Sequence, residues 1–198
     1  MPNKVNFNRG ILLEEAFEIL RQKWIAAFTA RSIGRNLGCS TQPVYSTFGS
    51  MRNLREALFD KAREYAVSFL LRDQGEENSF LSIGMQYFRL ARAEKHLFRW
   101  LFLDGERAMD LETMSEFSGP LIERMKQEEH IRNLGDKSIS RIGRDMWIYA
   151  HGLVLFSYES DLSDCEDLVR SQLNRMGRTV IAWERVQAGI SDRSFDGQ

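Results

Sequence analysis

Leu37 to Ser50 reads LGCSTQPVYSTFGS: a glycine-led turn, then Ser, Thr, Gln, Tyr, Ser and Thr crowded around a proline. Whether this stretch is a loop or a helix made to touch something decides how the first sixty residues fold. The residues before it favour a helix that stops. Thr29 can cap Ala30 to Leu37, Ile33 and Leu37 fall on its inward face, and Gly38 supplies the positive-φ residue that ends it. Only Gly38, Cys39 and Ser40 separate that helix from a second short one, Thr41 to Phe48, which would bury Val44 and Phe48 at i, i+4. Ser50 then caps a longer helix running to about Arg72.

Pro43 is the residue that argues against a helix, because it lacks an N–H and disfavours α geometry at Gln42. It is tolerable in a first turn, where amides have no intrahelical partner in any case. With Ser40 as N-cap, Pro43 is N3. Ser40 then cannot bond the N3 amide, which leaves the Gln42 N–H as its partner or frees the hydroxyl for another acceptor. Thr41 as N-cap is the competing assignment.

Helical periodicity continues on both sides. Leu12, Leu13, Ala16, Ile19 and Leu20 form one apolar stripe on a helix from Arg9 to Trp24. Asp73 to Asn78 (DQGEEN) has one glycine and no apolar residue, as expected of a surface connection. Further helices are predicted at about 79–93, 95–104, 109–129, 137–159 and 164–188, followed by a polar, frayed tail. No period-two alternation of strand length occurs. WIYAHGLVLF, Trp147 to Phe156, is apolar nearly all round. Val169, Leu173, Met176, Val180 and Trp183 recur at intervals of 4, 3, 4 and 3, the spacing of a packing seam. Each helix can fill the core of its own chain, and the last one is better suited to a dimer interface.

Composition agrees with an ordered, all-α protein that needs neither disulfide nor metal: 43% hydrophobic and 28% charged residues, with three prolines. The net charge of -1 conceals an asymmetry. Residues 1–60 hold eight Lys/Arg against five Asp/Glu, and residues 61–198 hold 19 against 23, so an anionic partner would prefer the N-terminal part. Cys39 and Cys165 form no CxxC and have no histidine at metal-ligand spacing, which favours reduced thiols in a cytoplasmic protein. No signal-peptide pattern opens the chain, and charges interrupt every apolar run before membrane-spanning length.

Two helices joined by a three-residue turn containing glycine are the sequence form of a helix-turn-helix, in which the second helix enters a DNA groove. With Val44 and Phe48 inward, the other faces show Thr41, Gln42, Tyr45, Ser46 and Thr47, with no acid among them. Gln42 can pair with adenine and the Thr41 methyl can meet a thymine methyl. Tyr45 and the hydroxyls of Ser40 and Ser46 can donate to phosphates, while Arg31, Arg35, Arg52 and Arg55 supply flanking charge.

Phe28 to Leu54, FTARSIGRNLGCSTQPVYSTFGSMRNL, resembles the DNA-binding domain of the tetracycline-repressor (TetR) family of bacterial transcriptional regulators. The positions that match are Thr29, Ile33, Gly38, Ser40, Val44, Tyr45 and Phe48, within a likeness covering roughly residues 9–60. Met51 stands where the family commonly has a phosphate-binding lysine, with Arg52 beside it as a substitute. The resemblance implies an N-terminal three-helix helix-turn-helix domain, residues 1–50, contacting DNA through Thr29, Arg31, Arg35, Ser40, Thr41, Gln42, Pro43, Tyr45, Ser46, Thr47 and Arg52. Residues 51–198 would form a helical ligand-binding and dimerisation domain, connected by helix four at about 51–72. The resemblance also implies a pocket for a small hydrophobic or amphipathic effector, with Met85, Phe88, Phe98, Phe102, Met125, Trp147 and His151 as candidate lining. A homodimer would form through Leu155, Val169, Leu173, Met176, Val180 and Trp183.

The expectation is therefore a cytoplasmic, ligand-responsive repressor that binds a palindrome in double-stranded DNA, with no cofactor, metal or membrane. His151 could be a polar anchor in such a pocket, yet a lone histidine on an apolar face is more often a hydrogen-bonded core residue. Glu128 to His130 (EEH) reads as a solvated helix end, because consecutive helical residues point in different directions. An all-helical enzyme or small-molecule binder with a vestigial helix-turn-helix is the alternative, although no nucleophile elbow, P-loop, dinucleotide fingerprint, HExxH or paired-carboxylate motif is present. A scaffold that dimerises without ligand control is a third possibility.

Overall fold

The computed structural model describes residues 7–73, 75–103, 111–129, 131, 133–157 and 165–190, with backbone alone for residues 111–116. Among the described residues all regular structure is helical. The chain divides into two compact units, Met1–Ala66 with Glu94–Asp110, and Val67–Ala93 with Leu111–Gln198. The first unit is built from two separate pieces of chain.

In the first unit, α1 (Arg9–Gln22) is capped by Asn8, whose side chain accepts the Ile11 N–H at 3.0 Å. Its stripe of Leu12, Ala16, Phe17, Ile19 and Leu20 is buried. A 3-10 turn, Ile25–Ala27, leads to α2 (Ala30–Leu37), α3 (Gln42–Phe48) and the part of α4 (Met51–Leu70) up to Ala66. α6 (Lys95–Phe102) completes the unit by packing on α1, which also touches α2 and α3. Leu12, Leu20, Ile33, Val44, Leu54 and Leu58 are fully enclosed, each worth about 1.5–3 kcal/mol of burial.

The return of the chain at Glu94 has a polar reason. Its buried carboxylate accepts Arg21 Nε at 2.9 Å and Nη2 at 2.5 Å, and the Tyr65 hydroxyl at 2.6 Å. A buried carboxylate needs such pairing, and the bidentate guanidinium supplies it. The bond to Glu94 in turn raises the Arg21 pKa.

The second unit centres on α5 (Ser79–Ala93), of which Ser79 to Phe88, Leu90 and Ala91 are buried. It packs against α7 (Leu111–Met125), α8 (Asp136–Ser157) and α9 (Glu166–Gln187), and α8 packs along α9. Close approach of α5 and α9 depends on Gly84, where a Cβ would lie 2.9 Å from Leu173 Cδ1. The start of α5 is fastened by Asn78, which accepts the Leu81 N–H, and by Glu128 Oε1, which accepts the Ser79 N–H at 2.7 Å. Glu128 thus serves a helix cap, and His130 of the EEH motif lies outside the described residues. So do Gln74, the predicted helix limits at 104, 109 and 159, and the tail beyond Ile190.

Candidate nucleic-acid interface

The turn between α2 and α3 is built by local chemistry. Thr29 Oγ1 accepts the Ser32 N–H at 3.1 Å while Ser32 Oγ accepts the Thr29 N–H at 3.0 Å, a reciprocal capping box that uses serine where Glu or Gln is usual. Gly38 ends α2 at φ 67° and ψ 30°, a left-handed conformation that costs a side-chain-bearing residue energy. Cys39 N–H then bonds back to the Gly34 carbonyl at 2.8 Å. Gly34 permits this turn, since a Cβ there would stand 2.7 Å from the Cys39 carbonyl oxygen and 3.1 Å from that of Ser40.

α3 begins at Gln42 rather than Thr41. The Thr41 backbone is already right-handed helical, at φ -74° and ψ -13°, and its carbonyl accepts the Val44 and Tyr45 amides. Its side chain caps nothing. Ser40 Oγ accepts the Gln42 N–H at 3.3 Å instead. The capping roles are thus shared: Thr41 supplies the carbonyl and Ser40 the hydroxyl. Pro43 sits in the first turn, where its missing amide costs no helical bond.

Val44 and Phe48 are buried, and Gln42, Tyr45 and Ser46 are exposed. Gln42 and Tyr45 lie three residues apart on one face, and among the described residues neither side chain bonds to the rest of the chain. Arg31 and Arg35 on α2 are exposed and form no ion pair among the described residues. From Ile19 to Arg55 the chain carries six Lys/Arg and no Asp or Glu. The nearest acids in sequence are Glu18, bound to Arg21 at 2.9 Å, and Glu56, paired with Arg52 at 3.3 Å.

Other candidates are engaged elsewhere. Thr29 is committed to its capping box, and the Ser46 hydroxyl donates to the Pro43 carbonyl at 3.1 Å, the backbone-bonding habit of a helical serine. Donation to phosphate would require that hydroxyl to leave the Pro43 carbonyl. Thr41, Pro43, Thr47 and Met51 are half-buried. Sequence reasoning missed Gly34, whose only signal was a glycine inside a helical pattern. It also missed Arg9, read only as the start of α1, whose guanidinium carbon lies 4.7 Å from the centre of the Phe48 ring.

The candidate effector residues are divided between the two units. Phe98 and Phe102 belong to the first unit, buried with their rings 4.9 Å apart, because α6 packs on α1. In the second unit, Met85 and Phe88 are fully enclosed and Met125 is buried, so they act as core. Trp147 and His151 are half-buried and stack at 4.9 Å with planes 13° apart. The Tyr87 hydroxyl meets His151 Nδ1 at 2.7 Å. Desolvation raises the Tyr87 pKa and lowers that of His151. Tyr87 accordingly keeps its proton, and burial favours the neutral form of His151.

The proposed seam on α9 also divides. Val169 and Leu173 are buried inside their own chain, Leu173 against Gly84, and so do not face outward. Met176 and Val180 are half-buried. Leu155 and Trp183 are exposed, as are Ile148 and Phe156 on α8 and Leu168 and Val186 on α9, with Phe156 at 89%. No described helix is long and apolar enough to cross a membrane. No protein-family model matches the chain, and no curated protein matches it.

Proposed function

We propose that this chain is a DNA-binding transcriptional regulator of the TetR type, a repressor that grips a palindromic operator as a homodimer and releases it when an effector binds. The observation that carries the reading is the exposed face of α3. Gln42 and Tyr45 stand unengaged on α3, and Arg31 and Arg35 unpaired on α2, in a 37-residue stretch without a carboxylate. A duplex attracts that charge at any sequence, and an amide at Gln42 can discriminate adenine in the major groove. On this reading α2 braces and α3 enters the groove.

The exposed apolar side chains of α8 and α9 support a homodimer, because Phe156, Trp183 and Val186 each leave more than half of their surface in water in a single chain. Two copies would set two recognition helices a helical turn of DNA apart, about 34–36 Å, or a multiple of it. The effector, a small hydrophobic or amphipathic molecule, is assigned to the half-buried Trp147 and His151.

Electrophoretic mobility shift against the upstream region of its own gene tests the reading. A shift that is sequence-dependent and weakens steeply between 50 and 200 mM salt is expected. No sequence-dependent shift at any protein concentration would refute it. Sedimentation of wild type beside Trp183→Glu tests the homodimer: the wild type should run as a dimer and the variant as a monomer.

A further inference from the structure

We propose that Arg9, at the start of α1, is a phosphate-binding residue held in place by the last aromatic ring of the recognition helix. The inference rests on the DNA-binding reading above. Arg9 is exposed, and its guanidinium carbon lies 4.7 Å from the centre of the Phe48 ring. Phe48 closes α3 and is itself buried, one turn beyond Tyr45, so the ring is a fixed platform rather than a mobile one. Asn53 Nδ2 holds that end of α3 by donating to the Phe48 carbonyl at 2.8 Å. Contact with one ring leaves N–H donors of the guanidinium available for phosphate oxygens. Among the described residues Arg9 has no ion pair and no hydrogen bond that would commit those donors.

A guanidinium held over a buried ring has lost rotamer freedom before the partner arrives, so a phosphate bound there costs less further ordering. Lysine would bring the same charge without the planar stack. Arg9 therefore adds a positive charge at the Phe48 end of α3, from a different helix than Arg31 and Arg35.

The test is binding of a random-sequence 30-base-pair duplex by wild type, Arg9→Gln and Arg9→Lys, each measured over a range of salt, with thermal melting alongside. The neutral variant should bind about tenfold more weakly, and its salt dependence should fall by about 0.9 in log–log slope per bound protomer. Arg9→Lys should keep the wild-type slope with a loss of about threefold. Arg9→Gln binding with unchanged affinity and slope would overturn the proposal. So would a loss of affinity at an unchanged slope, the mark of a purely structural role. A wild type that binds duplex normally while Arg9→Gln is silent refutes Arg9 alone; a wild type that binds no duplex refutes the DNA-binding reading and this proposal together.

Discussion

Helices α3 and α5 occupy opposite extremes of the same physics. α3 is seven residues long, buries only Val44 and Phe48, and turns its remaining side chains outward or to its own turn. α5 is fifteen residues long and buries all but a few of them among α7, α8 and α9. A helix as short as α3 cannot be stable in water by propensity, so it exists because its two anchors are held. α5 exists because most of its length is buried against other helices. Substitution should therefore separate the two: α5 governs stability, and α3 governs what the molecule binds.

The largest effect that would sharpen this contrast is Phe88→Ala. The side chain is fully enclosed on α5, and its truncation should cost about 3–5 kcal/mol, read as a lowered denaturation midpoint at an unchanged m-value. Tyr45→Phe on α3, at 48% exposure, should move stability by less than about 0.5 kcal/mol. Comparable losses from both would abolish the distinction.

The two helices also differ in how much of them could be read in advance. Around α3 the signals are local and chemical: Thr29 as a cap, Gly38 as a left-handed stop and Pro43 as a first-turn residue are each visible in the chain, and each holds in the structure. The Ser40 hydroxyl even takes the Gln42 amide, one of the two options open to it. Burial of α5 has no such signal, since a helix enclosed on all sides depends on what surrounds it. WIYAHGLVLF is as apolar as α5, yet within it Ile148, Leu155 and Phe156 are exposed. The same limit explains α9, where the 4-3-4-3 spacing marks a stripe without naming its neighbour. Val169 and Leu173 pack within their own chain, and Glu184, beside the stripe, is buried through two bonds with Arg141 at 2.8 and 2.6 Å. That pairing lowers the Glu184 pKa. Phe98 and Phe102 satisfy a core or a pocket equally well by spacing, and packing of α6 on α1 puts them in the first unit.

A substitution in the turn should have an intermediate effect on stability and a disproportionate one on binding. Gly34→Val places a branched side chain where a single Cβ already meets the Cys39 carbonyl oxygen at 2.7 Å, against backbone that cannot swing aside. A cost of about 1–3 kcal/mol is expected, with DNA binding reduced more than melting implies because α3 is displaced. Full binding by this variant would mean that the turn does not set the attitude of α3.

Within α3 the comparison becomes one of roles. Gln42→Ala should change base preference at a single position of a selected site, a discrimination of about 1–3 kcal/mol, and Tyr45→Phe should weaken all sites alike. Selection of duplexes from a random pool measures both. Identical selected sites with uniformly weaker binding for both variants would remove Gln42 from base readout.

The smallest effect lies in the second unit, at the half-buried His151. Its folded-state pKa is lowered by desolvation, and its Nδ1 lies 2.7 Å from the Tyr87 hydroxyl. The unfolded chain therefore takes up a proton more readily than the folded one as pH falls below about 6.5, the ordinary histidine value. The His151 contribution is present above that pH and is lost on acidification toward the lower folded pKa. Because the ring is partly solvated, the loss should stay below about 1 kcal/mol between pH 7.5 and 5.5. Denaturant titrations of wild type and His151→Gln across that range isolate it, since Glu184 titrates at lower pH and its contribution is common to both proteins. The wild type should lose more stability than the variant on acidification. Parallel curves would mean that His151 is as easily protonated in the fold as in water, and that its bond to Tyr87 does not hold the ring neutral.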